Sequence, residues 1–203
     1  MTASVLKPLF LTTIRQPRDG AARMLSLRLP AQALWIALSL ISVVTSAVVA
    51  ALVQAAPMPP GELGRLVEAS PVYSSPLIFA AMQWGRAVLS VFMLFWVGRA
   101  LGGRGELPDV LAVVTLLQAV SFVLVASFTI LGMIIPFLSS LGLLVFFVWW
   151  IWAVSNALDV AHEFDSPLKA FGVMVISVFG VLIGLSILMG VIGGVGAGLT
   201  GAI

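Results

Sequence analysis

Along this chain the apolar positions neither alternate with polar ones nor form a stripe at helical spacing. They merge into five long runs, near 30–53, 76–98, 108–131, 136–158 and 167–191. Each run exceeds the about 20 residues with which a helix crosses a hydrocarbon core about 30 Å thick. A helix lying on a membrane surface would keep a polar face, and a transmembrane β-strand would alternate. In lipid the backbone of each segment must pair within itself. The pattern predicts an all-α membrane protein, a five-transmembrane-helix bundle.

Proline marks the same divisions. Pro30, Pro76, Pro108, Pro136 and Pro167 stand where runs begin. A missing N–H costs nothing in the first helical turn. Ser75 and Ser166, each before one of these prolines, are candidate N-caps. The stretch from Gly132 to Ser140 carries no charge. It is expected to be a tight hairpin around Pro136. One long re-entrant helix, leaving four crossings, is the alternative.

Composition narrows the class. Apolar residues make up 61% of the 203 positions and charged ones 9%, against about 45–50% and about 25% in an ordinary soluble domain. So few charges could not cover that much apolar surface, which excludes a soluble enzyme, a disordered regulator and a secreted scaffold. There is no cysteine and one histidine. Disulfides, thiol chemistry and a multi-histidine metal cage are therefore out of reach, and no cofactor or metal is expected.

Charge then orients the bundle. Lys7, Arg15, Arg18, Arg23, Arg28, Arg99, Arg104 and Lys169 fall on one side, and only Arg65, between Glu62 and Glu68, on the other. The positive-inside rule puts the N-terminus in the cytoplasm. Residues 1–29 form a basic cytoplasmic segment, too long before its apolar run for a signal peptide. Met24, Leu25 and Leu29, with Arg18, Arg23 and Arg28, form either a short interfacial helix on the inner leaflet or topology charges alone. Residues 30–191 are the transmembrane domain. Residues 192–203, rich in glycine, are expected to be an external tail. The basic residues read as topology signals, so no nucleic-acid partner is expected.

The tenth basic residue, Arg86, lies inside a run. It stands ten residues beyond Pro76, about 15 Å deep at 1.5 Å per residue. A central arginine costs about 2.5–3.5 kcal/mol to insert, so it should face the bundle interior or water. Gln118 and Ser177 lie ten residues beyond Pro108 and Pro167. Arg86, Gln118 and Ser177 are thus expected at one depth, as a buried polar layer. The layer is either a site for an anion or lipid headgroup, or a structural arginine satisfied by amides and carbonyls.

A second cluster closes the fourth run: Asp159, His162, Glu163 and Asp165. The first three share a helical face by i, i+3 and i+4 spacing. Carboxylates at a helix C-terminus oppose its dipole. Lys169, Arg99, Arg104 or a metal would relieve them, although one histidine with carboxylates is a poor metal set. The expectation is a solvated cytoplasmic rim. In the fifth run Gly180 and Gly184, then Gly190 and Gly194, make small-xxx-small spacings suited to helix packing, within the bundle or between copies. The six tryptophans lie mostly toward run ends, as interfacial belts require.

Phosphate-loop, HExxH and GxSxG motifs are absent, and no carboxylate lies at depth. A coupled cation carrier or an aspartyl-type membrane protease would need such a carboxylate. Five apolar helices, a basic proline-punctuated lead-in, the Gly102-Gly103-Arg104-Gly105 turn, Trp152, Ala157-Leu158, His162 and Lys169-Ala170 together resemble the bacterial branch of the Yip1-domain family. The resemblance implies an integral membrane protein without catalysis, in a bacterial cytoplasmic (inner) membrane. Eukaryotic relatives are associated with Rab-type GTPases. Their acidic Asp-Leu-x-Gly-Pro and Gly-Tyr-x-x-x-Pro motifs are missing here, so a Rab-type partner is not carried over. The expected partners are the lipid bilayer, other membrane proteins or a second copy. The expected role is an interaction or membrane-organising factor, with a permease or channel component using Arg86 as the alternative.

Overall fold

The computed structural model describes residues 3–55 and 57–200, and side-chain surroundings from Leu6 to Ser186 except at 56, 133, 136, 139 and 185. The helices in chain order are α1 (Ala3–Arg15), α2 (Pro17–Ser26), α3 (Ala31–Ala55), α4 (Glu62–Ala69), α5 (Pro71–Ser74), α6 (Pro76–Ala100), α7 (Leu107–Ile134), α8 (Pro136–His162) and α9 (Pro167–Thr200). Five are long and apolar enough to cross a membrane: α3, α6, α7, α8 and α9. Proline opens α2, α5, α6, α8 and α9, and Pro108 is the second residue of α7. Each occupies a turn whose N–H groups have no intrahelical partner. Ser75 stands at the N-cap of α6, but its hydroxyl makes no capping bond.

The uncharged stretch at Pro136 is a hairpin. Ile135, with extended backbone, is the only residue between α7 and α8, and these two helices pack along each other. α7 also touches α3 and α6, while α9 closes the ring against α6 and α8. Half of the apolar window of α7 is buried, against 11% for α6. That makes α7 the central helix. The core gathers Val110, Val113 and Val120 of α7 with Leu38 of α3, Val91 of α6, Leu158 of α8 and Val173 of α9. The outward apolar side chains face where lipid would be, so their exposure is the normal state of a bilayer protein.

Two expectations change. The basic N-terminal segment is a pair of helices docked on the bundle. Leu9, Thr13, Pro17, Gly20, Ala21 and Met24 are buried, and α2 packs on α8 and α7. Met24 thus turns into the core instead of onto a leaflet, with α2 packed on α8 and α7. The Trp149 indole N–H donates to the Ile14 carbonyl of α1 at 3.0 Å. The glycine-rich end also differs: α9 runs helical to Thr200, through the segment expected to be a tail. The helical cost of glycine is about 1 kcal/mol per residue, and it does not end α9 here.

Candidate functional site

Two groups of polar side chains stand out. The first ties together the end of the bundle that carries α1 and α2. Asp159 and His162, on the last turn of α8, are both fully buried, whereas Glu163 and Asp165 are exposed. The cluster therefore does not form a solvated rim as a unit. Arg18 Nη1 of α2 lies 2.7 Å from Asp159 Oδ2, an ion pair without the alignment of a full hydrogen bond. Asp159 Oδ1 accepts the Ser166 N–H at 2.7 Å, just ahead of α9. One carboxylate thus joins α2, α8 and α9. The cation beside it is Arg18, not Lys169, Arg99 or Arg104, because docking of α2 brings Arg18 onto the buried oxygen. Among the described residues no three His, Asp or Glu side chains gather as a metal set.

His162 fills the space beside the α6–α7 turn. Its Nδ1 lies 3.2 Å from the Leu158 carbonyl, and its ring stacks on Phe164 with centroids 5.2 Å apart. A Cβ on Gly98 or Gly103 would run into the ring, and one on Gly105 into the Ala161 carbonyl. The turn itself needs positive φ at Gly102, +88°. Within it the Gly103 N–H bonds to the Gly98 carbonyl, and the Arg104 N–H donates to the His162 carbonyl at 2.9 Å, capping α8. The glycines of this turn are there so that α8 can end against it.

The second group lies at mid-depth. Arg86 Nε donates to Gln83 Oε1 at 3.1 Å, and the Ser90 hydroxyl bonds back to the Arg86 carbonyl. Among the described residues Arg86 forms no ion pair. It borders two cavities. One, of about 240 Å³, lies between α3, α6 and α7 and is lined by Ser42, Gln83, Arg86, Gln118 and Ser121 among apolar groups. The other, of about 310 Å³, lies between α6, α7, α8 and α9 and is lined by Arg86, Ser90, Gln118 and Ser177. Arg86, Gln118 and Trp150 are common to both. The first cavity runs from them toward the α4–α5 end, past Leu52 and Thr129, and the second toward the α1–α2 end, past Leu94 and Leu158. Arg86, Gln118 and Ser177 all line the second cavity, but only Ser177 is buried: Gln118 is half-buried and Arg86 is exposed, so the three are not a buried layer. Trp150, expected in an interfacial belt, is instead a mid-depth wall.

Ser42 and Ser177 are buried to 4% and 3% exposure, and neither hydroxyl has a partner. Sequence reasoning missed Ser42, since a serine within an apolar run carries no signal of what its hydroxyl faces. It also missed Arg18 as the partner of Asp159, and Gly98.

The glycine pairs of α9 separate. A Cβ on Gly180 would meet Met93 of α6, so this glycine admits a neighbour within the bundle, whereas Gly184 faces open space. The surroundings of Gly190 and Gly194 lie outside the described residues.

The fold, with five helices long and apolar enough to cross a membrane, defines a multi-pass integral membrane protein. The family model for the Yip1 domain matches residues 11–189, nearly the whole chain, and the chain belongs to that family. The match begins within α1 and takes in the docked N-terminal pair together with all five long helices. Comparisons with curated proteins and with solved structures give no match.

Proposed function

We propose that this chain is a non-enzymatic membrane protein of a bacterial inner membrane, N-terminus in the cytoplasm, acting as an interaction or membrane-organising factor. The observation that supports this reading most is the folded state of the α1–α2 pair. Buttressed on α7 and α8, it holds Lys7, Arg15, Arg23 and Arg28 exposed on a fixed frame. Ordered charge presents a surface to partners at a lower entropic cost than a loose tail. Photo-crosslinking in native membranes tests it, with the reactive group at Arg23 and, as the control, at Leu66 of α4. A discrete adduct at Arg23, lost when Lys7, Arg15 and Arg28 are changed to Gln, is expected. Adducts equal at both positions, or none at Arg23, would overturn it.

The meeting of two cavities at Arg86 favours a second reading, an anion or lipid-headgroup site in a permease or channel component. This reading needs both cavities to be reachable from outside the bundle.

A further inference from the structure

We propose, building on that second reading, that the ligand at Arg86 is the phosphate group of an amphiphilic phosphoester. Arg86 would hold it in the larger cavity, with Gln118 and the hydroxyl of Ser177 completing its contacts. Three observations lead there. The guanidinium uses Nε on Gln83 and has no carboxylate partner, so its two Nη groups form a fork suited to an oxyanion. No Asp or Glu lines either cavity, so the site favours an anion over a cation. Two serine hydroxyls, each more than nine-tenths buried and without a partner, border the cavities that share Arg86. An unpartnered buried hydroxyl is a costly group that a bound acceptor would satisfy.

The geometry selects among anions. Arg86 comes from α6, Gln118 from α7, Ser177 from α9 and Ser42 from α3. In the larger cavity Arg86, Gln118 and Ser177 line one space from three helices, which suits a tetrahedral group with several acceptor oxygens better than a planar carboxylate. The remaining walls are apolar, chiefly Leu94, Leu117, Val154 and Met174 in the larger cavity and Val48 and Phe122 in the smaller. Such walls would house an acyl body, whereas a free ion would leave them unused. Pockets for small molecules begin at about 300 Å³, and the larger cavity reaches about 310 Å³.

The test uses the purified full chain in detergent, with phosphatidylglycerol, diacylglycerol and inorganic phosphate as separate probes. Thermal stability and native mass spectrometry are the readouts. Phosphatidylglycerol is expected to remain bound and to raise the midpoint, while diacylglycerol, lacking the phosphate, does neither. Arg86→Gln should weaken retention by about tenfold or more, the loss of one charge-assisted contact. Arg86→Lys should keep part of it, and Arg65→Gln on exposed α4 should change nothing. Equal retention by wild type and Arg86→Gln would overturn the proposal. Stabilisation by inorganic phosphate equal to that by phosphatidylglycerol would keep the phosphate and overturn the apolar body. If Arg86→Gln does not fold, Gln118→Leu and Ser177→Ala must weaken retention in the same direction, or the proposal falls.

The absence of native cysteine separates this failure from that of the reading beneath it. Ser121→Cys and Ser177→Cys probe the two cavities with a polar thiol reagent. If neither reacts, the open-site reading fails. If both react while phosphatidylglycerol is not retained, only the phosphate assignment fails.

Discussion

His162 shows how much depends on what a side chain is not. Its ring occupies the space that Cβ atoms on Gly98 and Gly103 would need. Gly98→Ala therefore forces ring or helix to move, and overpacking of this kind costs roughly 1–3 kcal/mol. A lowered thermal midpoint in detergent is the expected readout. Adding His162→Ala should recover part of the loss, so the double variant falls short of the sum of the singles. Asp159 makes the complementary case, a group defined by what it touches. Asp159→Ala removes the acceptor of the Ser166 N–H and the partner of Arg18 together. Asp159→Asn keeps an oxygen for Ser166 and loses only the ion pair, which is softened because the Arg18 side chain is half exposed. The expected order of stability is wild type, then Asn, then Ala, with Ala lower by about 1–3 kcal/mol. Ala equal to Asn would show that the backbone contact contributes nothing.

The α1–α2 pair carries the argument at the scale of elements. Its docking rests on a stripe of Leu9, Thr13, Pro17, Ala21 and Met24, on the Arg18–Asp159 ion pair and on the bond from Trp149 to the Ile14 carbonyl. Trypsin cleaves chain that has opened locally, so Arg15, Arg18 and Arg23 should be cut slowly in the wild type. Asp159→Ala should quicken cleavage there while leaving Arg65 on α4 unchanged, as gel bands or mass would show. This pair also marks where reading from sequence stopped. The long runs and their prolines were legible because a bilayer demands about 20 apolar residues per crossing and leaves few alternatives. The stripe was legible in principle at i, i+4 spacing. Five basic residues around it pulled the reading toward a leaflet, and spacing alone does not say which helix covers a stripe. That Arg86, Gln118 and Ser177 come together, as they do in lining one cavity, was legible by counting residues from each proline, since helical rise converts sequence into depth, whereas the exposure of Arg86 was not. Cavities are not legible in that way. They arise from how five helices lean on one another, which is why Ser42 and Trp150 acquired their places only in three dimensions.

For the whole molecule the open question is which end of the bundle faces the cytoplasm, and the charges answer it with a test. Arg15, Arg18, Arg23, Arg28, Arg99, Arg104 and Lys169 gather at the α1–α2 end, while Arg65 shares the other with Glu62 and Glu68. Basic residues in short loops are retained on the cytoplasmic side, so the α1–α2 end should lie inside. The hairpin at Ile135 adds a second constraint, because two packed crossings in place of one re-entrant helix put Ser140 on the same side as Glu68 and return the chain so that Lys169 lies with Ser26. In a chain without cysteine, single variants at Ser26, Glu68, Ser140 and Lys169 read both points with an impermeant maleimide on intact cells. Cysteines at 68 and 140 should label at once, and those at 26 and 169 only after lysis. Reversed labelling of all four would invert the orientation and leave the fold intact. Labelling of 169 together with 68 would remove one crossing. The layer at Arg86 would then no longer stand between two halves of a bundle, and with it would go the physical ground for a site reachable from either side.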